Sequence, residues 1–215
     1  MILGIYGTGG LGREILTLAH LINCTSKKWD DIIFIDDMDY NRCLHNLSVK
    51  CFEQIKSLKS LEIVIAIGEP SLRAMLSEKI RENGINLATL IAPSVYISPY
   101  SQLGEGIVIF QGVNISCDTR IENNVVMQAF SSLSHDCYIG PHSVTSTYSA
   151  MAGAVSIGSR TFIGMGALIK EKIHIGDDVI VGMGSNVLSS VPDRMVVAGN
   201  PAKIVRENDK RRVFM

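Results

Sequence analysis

The sequence predicts a small parallel α/β sheet over residues 1–88, followed by a stacked coil of very short strands over 89–215. Three observations carry this expectation. Aliphatic residues recur every six positions from Ile91 to Val187. Apolar strand-like runs alternate with helical ones before residue 88. A glycine-rich turn, Gly7-Thr8-Gly9-Gly10-Leu11-Gly12, joins the first strand to the first helix.

In the first segment, ILGIYG reads as a buried strand, and Ile15, Leu18, Ala19 and Ile22 repeat at helical spacing. IIFIDD is a second strand ending in two acids, and EIVIAIG (62–68) a third. Ser71 is placed to cap a helix carrying Leu72, Met75, Leu76 and Ile80, which Asn83-Gly84 stops. Alternating strands and helices make βαβ units and a parallel sheet. The glycine turn matches G-x-G-x-x-G between a strand and a helix, where backbone N–H groups can meet an anion. Asp36 and Asp37 close the second strand, where an acid can accept from ribose hydroxyls. The alternative is a tight turn with no ligand. A dinucleotide fold needs two such halves. Only one fits before residue 88, so this half-Rossmann unit favours a mononucleotide or nucleotide-sugar.

In the second segment the six-residue register runs unbroken through Ile97, Leu103, Ile109, Ile115, Ile121, Met127, Leu133, Ile139, Thr145, Met151, Ile157, Ile163, Ile169, Ile175 and Val181. Thr145 is its one polar member. Four residues after each comes a small or β-branched side chain, as at Val113, Thr119, Ser131, Ser143 and Thr161. A glycine often follows the aliphatic residue directly, as at Gly140, Gly158 and Gly176. Neither the helical nor the strand period matches this. A short strand plus a tight corner does, three to a triangular coil, with coils stacked ~4.8 Å apart. Five to six coils make a prism roughly 27 Å tall.

Composition narrows the function. Lys+Arg 20 against Asp+Glu 21 leaves no basic footprint for nucleic acid. Cys24, Cys43, Cys51, Cys117 and Cys137 are odd in number and unpaired in spacing, which suits a reducing cytoplasm and neither a disulfide framework nor a metal site. The N-terminus lacks a secretory pattern, and no apolar run approaches the ~18 residues of a membrane span.

The motifs GTGGLGRE, FIDD, IAIGEPSLR, SHDCYIG, AGAVSIG and GNPAK, in this order, resemble the sugar O-acyltransferase family of bacterial glycan synthesis. That family includes sialic acid O-acetyltransferases and the bacillosamine- and perosamine-type N-acetyltransferases of nucleotide-linked 4-amino sugars. The resemblance covers nearly the whole chain. It implies that the coil is a left-handed parallel β-helix of hexapeptide repeats, assembled as a homotrimer with clefts between neighbours. It further implies acetyl-CoA as co-substrate and acetyl transfer to the 4-amino group of a UDP- or dTDP-linked 4-amino-4,6-dideoxy sugar. O-acetylation of a sialic acid or another sugar hydroxyl is the enzymatic alternative, and a non-catalytic nucleotide-sugar-binding scaffold the other.

By the same resemblance His135 is the base and Asp136 the acid that raises its basicity; otherwise they are an exposed polar pair. Histidine suits this task because its ordinary pKa, ~6.5, lies near operating pH. A 4-amino group must shed a proton before attack, so a basic optimum is expected. The family's CoA positions correspond to Gly153, Met165, Gly166, Met183 and Gly184, with Lys203 meeting a CoA phosphate or simply solvated. Gly9, Gly10, Leu11, Asp36, Asp37 and Gly68 would line the nucleotide-sugar site. Arg73 is a phosphate contact or, preferentially, an ordinary surface helix residue. Relatives carry a second histidine nine positions after the first, where this chain has Val144. His142 is not given that role and is expected solvated on a corner. His20 is assigned to the first helix, His45 to a loop, His174 to a repeat corner, and residues 207–215 to a frayed tail.

Overall fold

A computed structural model describes residues 1–214. The first strand, β1 (Ile2–Tyr6), leads through the glycine turn into α1 (Gly10–Ser26) and then β2 (Asp31–Ile35). An antiparallel hairpin follows, β3 (Arg42–Leu44) and β4 (Leu47–Lys50), then a single helical turn, α2 (Phe52–Ile55). The unit closes with β5 (Leu61–Ile65), α3 (Pro70–Glu82) and β6 (Asn86–Leu87). Strand order is β3-β4-β2-β1-β5-β6, parallel except for the hairpin. Helix α3 buries Leu76 and Ile80 on one face against Ile35, Ile63 and Ile65. Helix α1 buries Ile15, Leu18 and Ala19 on the other, against Leu3, Ile5 and Phe34.

Seventeen two-residue strands then run from β7 (Leu90–Ile91) to β23 (Asn186–Val187). Each pairs in parallel with the strand eighteen residues on, so three stacked ladders form the faces of a prism. The second residue of each strand points inward. Ile109, Ile115, Ile121, Met127 and their successors make one continuous core. Thr145 is also inward and fully buried, with its hydroxyl on Ser131 Oγ at 3.4 Å. The small residues at the corners are buried too, and several hydroxyls join adjacent coils: Ser143 Oγ donates to Gly158 O and Thr161 Oγ1 to Gly176 O.

What turns the chain is a left-handed residue three places after each inward one. From Gly106 to Gly184, every sixth residue has φ between 51° and 70°, including Asp118, Asn124, Phe130, Asp136, His142 and Tyr148. Next to this corner Gly140, Gly158 and Gly176 stack so closely that a Cβ at Gly140 would lie 2.6 Å from Gly158 C. That contact, and not conformational freedom, requires glycine there.

The last coil is closed by a hairpin, β24 (Met195–Gly199) and β25 (Ala202–Glu207). The segment after it is not frayed. Asn208 is buried and donates to Asp178 O, Arg211 approaches Asp178 at 3.8 Å, and the N–H groups of Val213 and Phe214 both donate to Glu69 Oε2. Only Met215 of the expected tail lies outside the described residues. Two further expectations also change. Helix α3 begins at Pro70, with Glu69 in the capping position and Ser71 already inside the helix. His174 lies on a strand, β21 (His174–Ile175), and not at a corner.

The sheet rests on the prism face carrying Leu90, Val108, Val126 and Val144. Arg73 fastens the seam. It is neither a surface residue nor a ligand contact but fully buried, donating to Ile65 O (2.6 Å), Ile67 O (3.0 Å) and Asn124 O (2.8 Å), and also to Asn124 Oδ1. Burial pushes its pKa down to about 9. Asn124 occupies a left-handed corner and returns its amide to Arg73 O at 3.1 Å. Asn124→Ala removes one of the buried cation's acceptors and leaves its three main-chain carbonyls, so unfolding in urea should show a loss of about 2 kcal/mol. Wild-type stability in that variant would contradict the clamp.

Candidate functional site

The C-terminal edge of the sheet gathers the first group of expected residues. Gly7 has φ 123° and no room for a Cβ, which would lie 2.7 Å from Ala66 O. A Cβ at Gly12 would sit 2.1 Å from Gly7 O, so the last glycine of the motif sets helix–strand contact. Gly9 and Gly10 face open space at the start of α1. No acid occupies that helix's first turn, so its positive end is unopposed. Leu11 is half-buried beside them.

Asp36 and Asp37 stand on the adjoining strand end, but most of their lone pairs are already engaged. Asp36 accepts from Thr8 Oγ1 at 2.6 Å and from the N–H groups of Met38 and Asp39. Asp37 accepts from Lys79 Nζ (2.7 Å), Phe52 N (2.8 Å) and the Tyr6 hydroxyl. Burial pushes both carboxyls up, and these donors outweigh it, holding both below the usual carboxylate range. Burial and the Asp37 bond push the Tyr6 phenol up. Sequence reasoning missed Thr8, Tyr6 and Lys79. Their partners are 28 to 73 residues distant, and no local spacing announces them. On the other side of β1, Gly68 lies below the ring of Phe214.

The second group is on the prism. His135 precedes Asp136, which holds a left-handed corner at φ 61°. The bend aims the carboxylate back at the ring, with Nδ1 to Oδ2 at 2.8 Å. Both side chains are about three-fifths exposed, at 62% and 61%. The carboxylate fixes the proton on Nδ1, which leaves the Nε2 lone pair facing out. Gly153 is the seat beneath: a Cβ there would lie 2.6 Å from Cε1 and 2.7 Å from Nε2. Nothing in the glycine's sequence context indicated this. It follows from Gly153 standing eighteen residues, one full coil, after His135.

On a different edge Phe130 and Tyr148 stack at 5.3 Å, while Gly166 and Gly184 continue the same column with open space at each Cβ. Met165 and Met183 flank them, exposed. A groove of about 570 Å³ separates this edge from α1, lined by Thr17, Leu21, Phe110, Gln128, Thr147 and Met165. Lys203 is apart from both, on β25 beside Ser189 and Ser190.

Corner positions 118, 136, 154 and 172 form the edge opposite the face that carries the N-terminal sheet. His135 and the glycine turn of the same chain are therefore on opposite sides of the prism. Val144, nine residues on, is 1% exposed within the seam cluster and reaches neither group. His142 is half-buried, not solvated: its Nδ1 accepts from Asn124 Nδ2 at 2.9 Å. Among the described residues no cluster of three or more His, Cys, Asp or Glu is placed to hold a metal, and no helix is long and apolar enough to cross a membrane.

Residues 3–80 match the family described as the PglD N-terminal domain. The chain is 30% identical over 124 residues to a GDP-perosamine N-acetyltransferase of Escherichia coli O157:H7, a match spanning 55% of each chain. Among solved structures it resembles the acetyltransferase domain of PglB from Neisseria gonorrhoeae (26% identity, TM-score 0.88, 95% of this chain and 99% of that one), also solved with acetyl coenzyme A. It is likewise similar to PerB from Caulobacter crescentus in complex with CoA and GDP-perosamine (30% identity, TM-score 0.85, 95% and 97%). These relatives make the prism a left-handed parallel β-helix.

Burial, and then the nearby Arg73, Arg160 and Arg81, push the His142 pKa from 6.5 down to about 4. Between these values the unfolded chain binds a proton that the folded chain does not. Stability is therefore full above pH 6.5, falls as pH drops toward 4, and levels off below. Thermal melts across this range should show that slope, and His142→Gln should flatten it. An equal slope in the variant would rule His142 out as its source.

Proposed function

The chain belongs to the nucleotide-amino-sugar N-acetyltransferase family, and we propose that it transfers acetyl from acetyl-CoA to the 4-amino group of a nucleoside-diphosphate-linked 4-amino-4,6-dideoxy sugar. The observation that carries this reading is the outward imidazole of His135, held by Asp136 and seated on Gly153. The acceptor amine attacks the thioester carbonyl, forming the C–N bond as the C–S bond breaks. His135 Nε2 takes the amine's proton and returns it to the departing sulfur, so CoA leaves as the thiol. Asp136 holds the ring's orientation and stabilises its cationic form, as the carboxylate of a triad does.

Residues 1–88 hold the acceptor and 89–215 the donor and base. The diphosphate sits at the open start of α1, on Gly9, Gly10 and Leu11. The ribose lies toward Asp36 and Asp37, and the sugar passes Gly68. The acyl donor reaches from Gly153, beneath the imidazole, to the open glycine corners of the neighbouring edge, Gly166 beside Met165 and Gly184 beside Met183, with Lys203 toward its phosphates. Because one chain holds its imidazole and its glycine turn on opposite sides, the working unit is an oligomer, a homotrimer, in which a neighbour's sheet meets His135. Val144 has no side-chain donor and lies in the seam, so either backbone N–H groups hold the acyl oxygen or the acyl pocket is altered. The compartment is the cytoplasm, where acetyl-CoA and nucleotide-sugars are made.

Protein given acetyl-CoA and a panel of UDP-, dTDP-, GDP- and CMP-linked amino sugars should release free CoA and form a base-stable amide. His135→Ala should lower the rate at least ~100-fold while acceptor binding persists. Gly153→Ala, which crowds the ring without removing it, should lower kcat about 100-fold. No turnover across the panel, or an undiminished His135→Ala enzyme, would defeat the reading.

A further inference from the structure

The segment from Asn208 to Phe214 is tied down at both ends. Arg212 N donates to Asn208 Oδ1, and Asn208 N to Arg194 O at 2.7 Å. Asp178, at a left-handed corner, holds Arg160 through both oxygens and faces Arg211. At the far end the nearly buried Glu69 accepts from Val213 N (2.8 Å) and Phe214 N (3.1 Å). This strap carries the chain from the last coil back to the loop between β5 and α3. There the Phe214 ring meets Phe162 of the prism edge-on, with centroids 5.6 Å apart and an 81° angle between planes. It also covers Gly68: a Cβ at that glycine would lie 3.5 Å from Phe214 Cε2. Even so, 57% of Phe214 is exposed, although its N–H is held by Glu69 and its ring rests on Phe162 and Gly68.

Strand order says what that free surface faces. The acids lie beyond β1 on the β2 side, and the glycine turn is at β1 itself. A ligand with its ribose at the acids and its diphosphate at the turn must extend toward β5, where Gly68 and Phe214 stand. Beside the ring, a cavity of about 420 Å³ is lined by Arg206, Lys210 and Arg212 against the single acid Asp209, a net positive surround that favours the approach of an anionic acceptor.

We propose that Phe214 is a specificity-determining residue: its exposed ring forms the wall against which the acceptor sugar packs, selecting an apolar 6-deoxy face. The inference rests on the transferase reading above. A methyl at C6 gains contact with the ring, whereas a 6-hydroxyl in its place loses water with no partner. Hydrophobic walls discriminate such pairs by about 10- to 100-fold.

The test compares kcat/KM for a nucleotide-linked 4-amino-4,6-dideoxy sugar and its 6-hydroxy counterpart. Wild-type protein should favour the deoxy sugar by at least about tenfold. Phe214→Ala should cut that ratio at least about fivefold by raising the KM for the deoxy acceptor, with the KM for acetyl-CoA held within twofold. Glu69→Ala, which unties the strap and leaves the ring intact, should lower the ratio in the same direction. An unchanged ratio in both variants, or a wild type indifferent to the 6-hydroxyl, overturns the assignment of Phe214 alone. A wild type that acetylates neither sugar overturns it together with the transferase reading.

Discussion

The backbone ladder between successive coils is the constraint on which the molecule depends. Each short strand's N–H groups find carbonyls one coil on, as Val126 N does at Ser143 O and Val144 N at Thr161 O. The ladder closes only if the chain turns through the same angle every six residues. That turn is made by a left-handed residue, which costs an L-amino acid roughly 1–2 kcal/mol unless it is glycine. Ten consecutive non-glycine or glycine corners from Asp118 to Lys172 accept that conformation, and the inter-coil bonds and continuous aliphatic core offset it.

This constraint also builds the chemistry. Asp136 is at such a corner, and the backbone reversal lets two adjacent side chains meet at 2.8 Å, where adjacent strand residues would diverge. The coil repeat then brings Gly153 beneath the ring. Asn124 and Asp178 use corners of another edge differently: one receives the buried guanidinium of Arg73, the other anchors the C-terminal strap. One periodic backbone thus supplies an outward imidazole, a domain clamp and a tether, according to the side chain carried at each corner.

The prism was legible because its period is local and strict; sixteen of the seventeen inward positions are aliphatic, and buried Thr145 is the exception that still fits the register. The glycine turn was legible for the same reason, as a short motif between a strand and a helix. The β3–β4 hairpin was not, since strands of three and four residues in RCLHNLSVK carry no alternation long enough to read. Arg73 looked like a surface residue because an arginine on an amphipathic helix usually is one. Its acceptors on Asn124 lie 51 residues away. The strap failed to register for a related reason: ENDKRRVFM is charged, and its anchor, Glu69, is 144 residues before Val213. Long-range polar pairs leave no periodic trace.

The imidazole stands on one edge of the prism and the proposed acceptor cradle, the glycine turn, on the far side of the same chain. Mixed assembly tests this most directly. One chain carries His135→Ala; the other carries Gly9→Glu, which puts a carboxylate into the open start of α1 without a packing conflict. Each alone is inactive. Unfolded together and refolded, they should regain acetyl transfer, since some interfaces then pair an intact base with an intact cradle. A mixture as inactive as its parents would mean that base and cradle belong to the same chain, contrary to the placement of His135 described above.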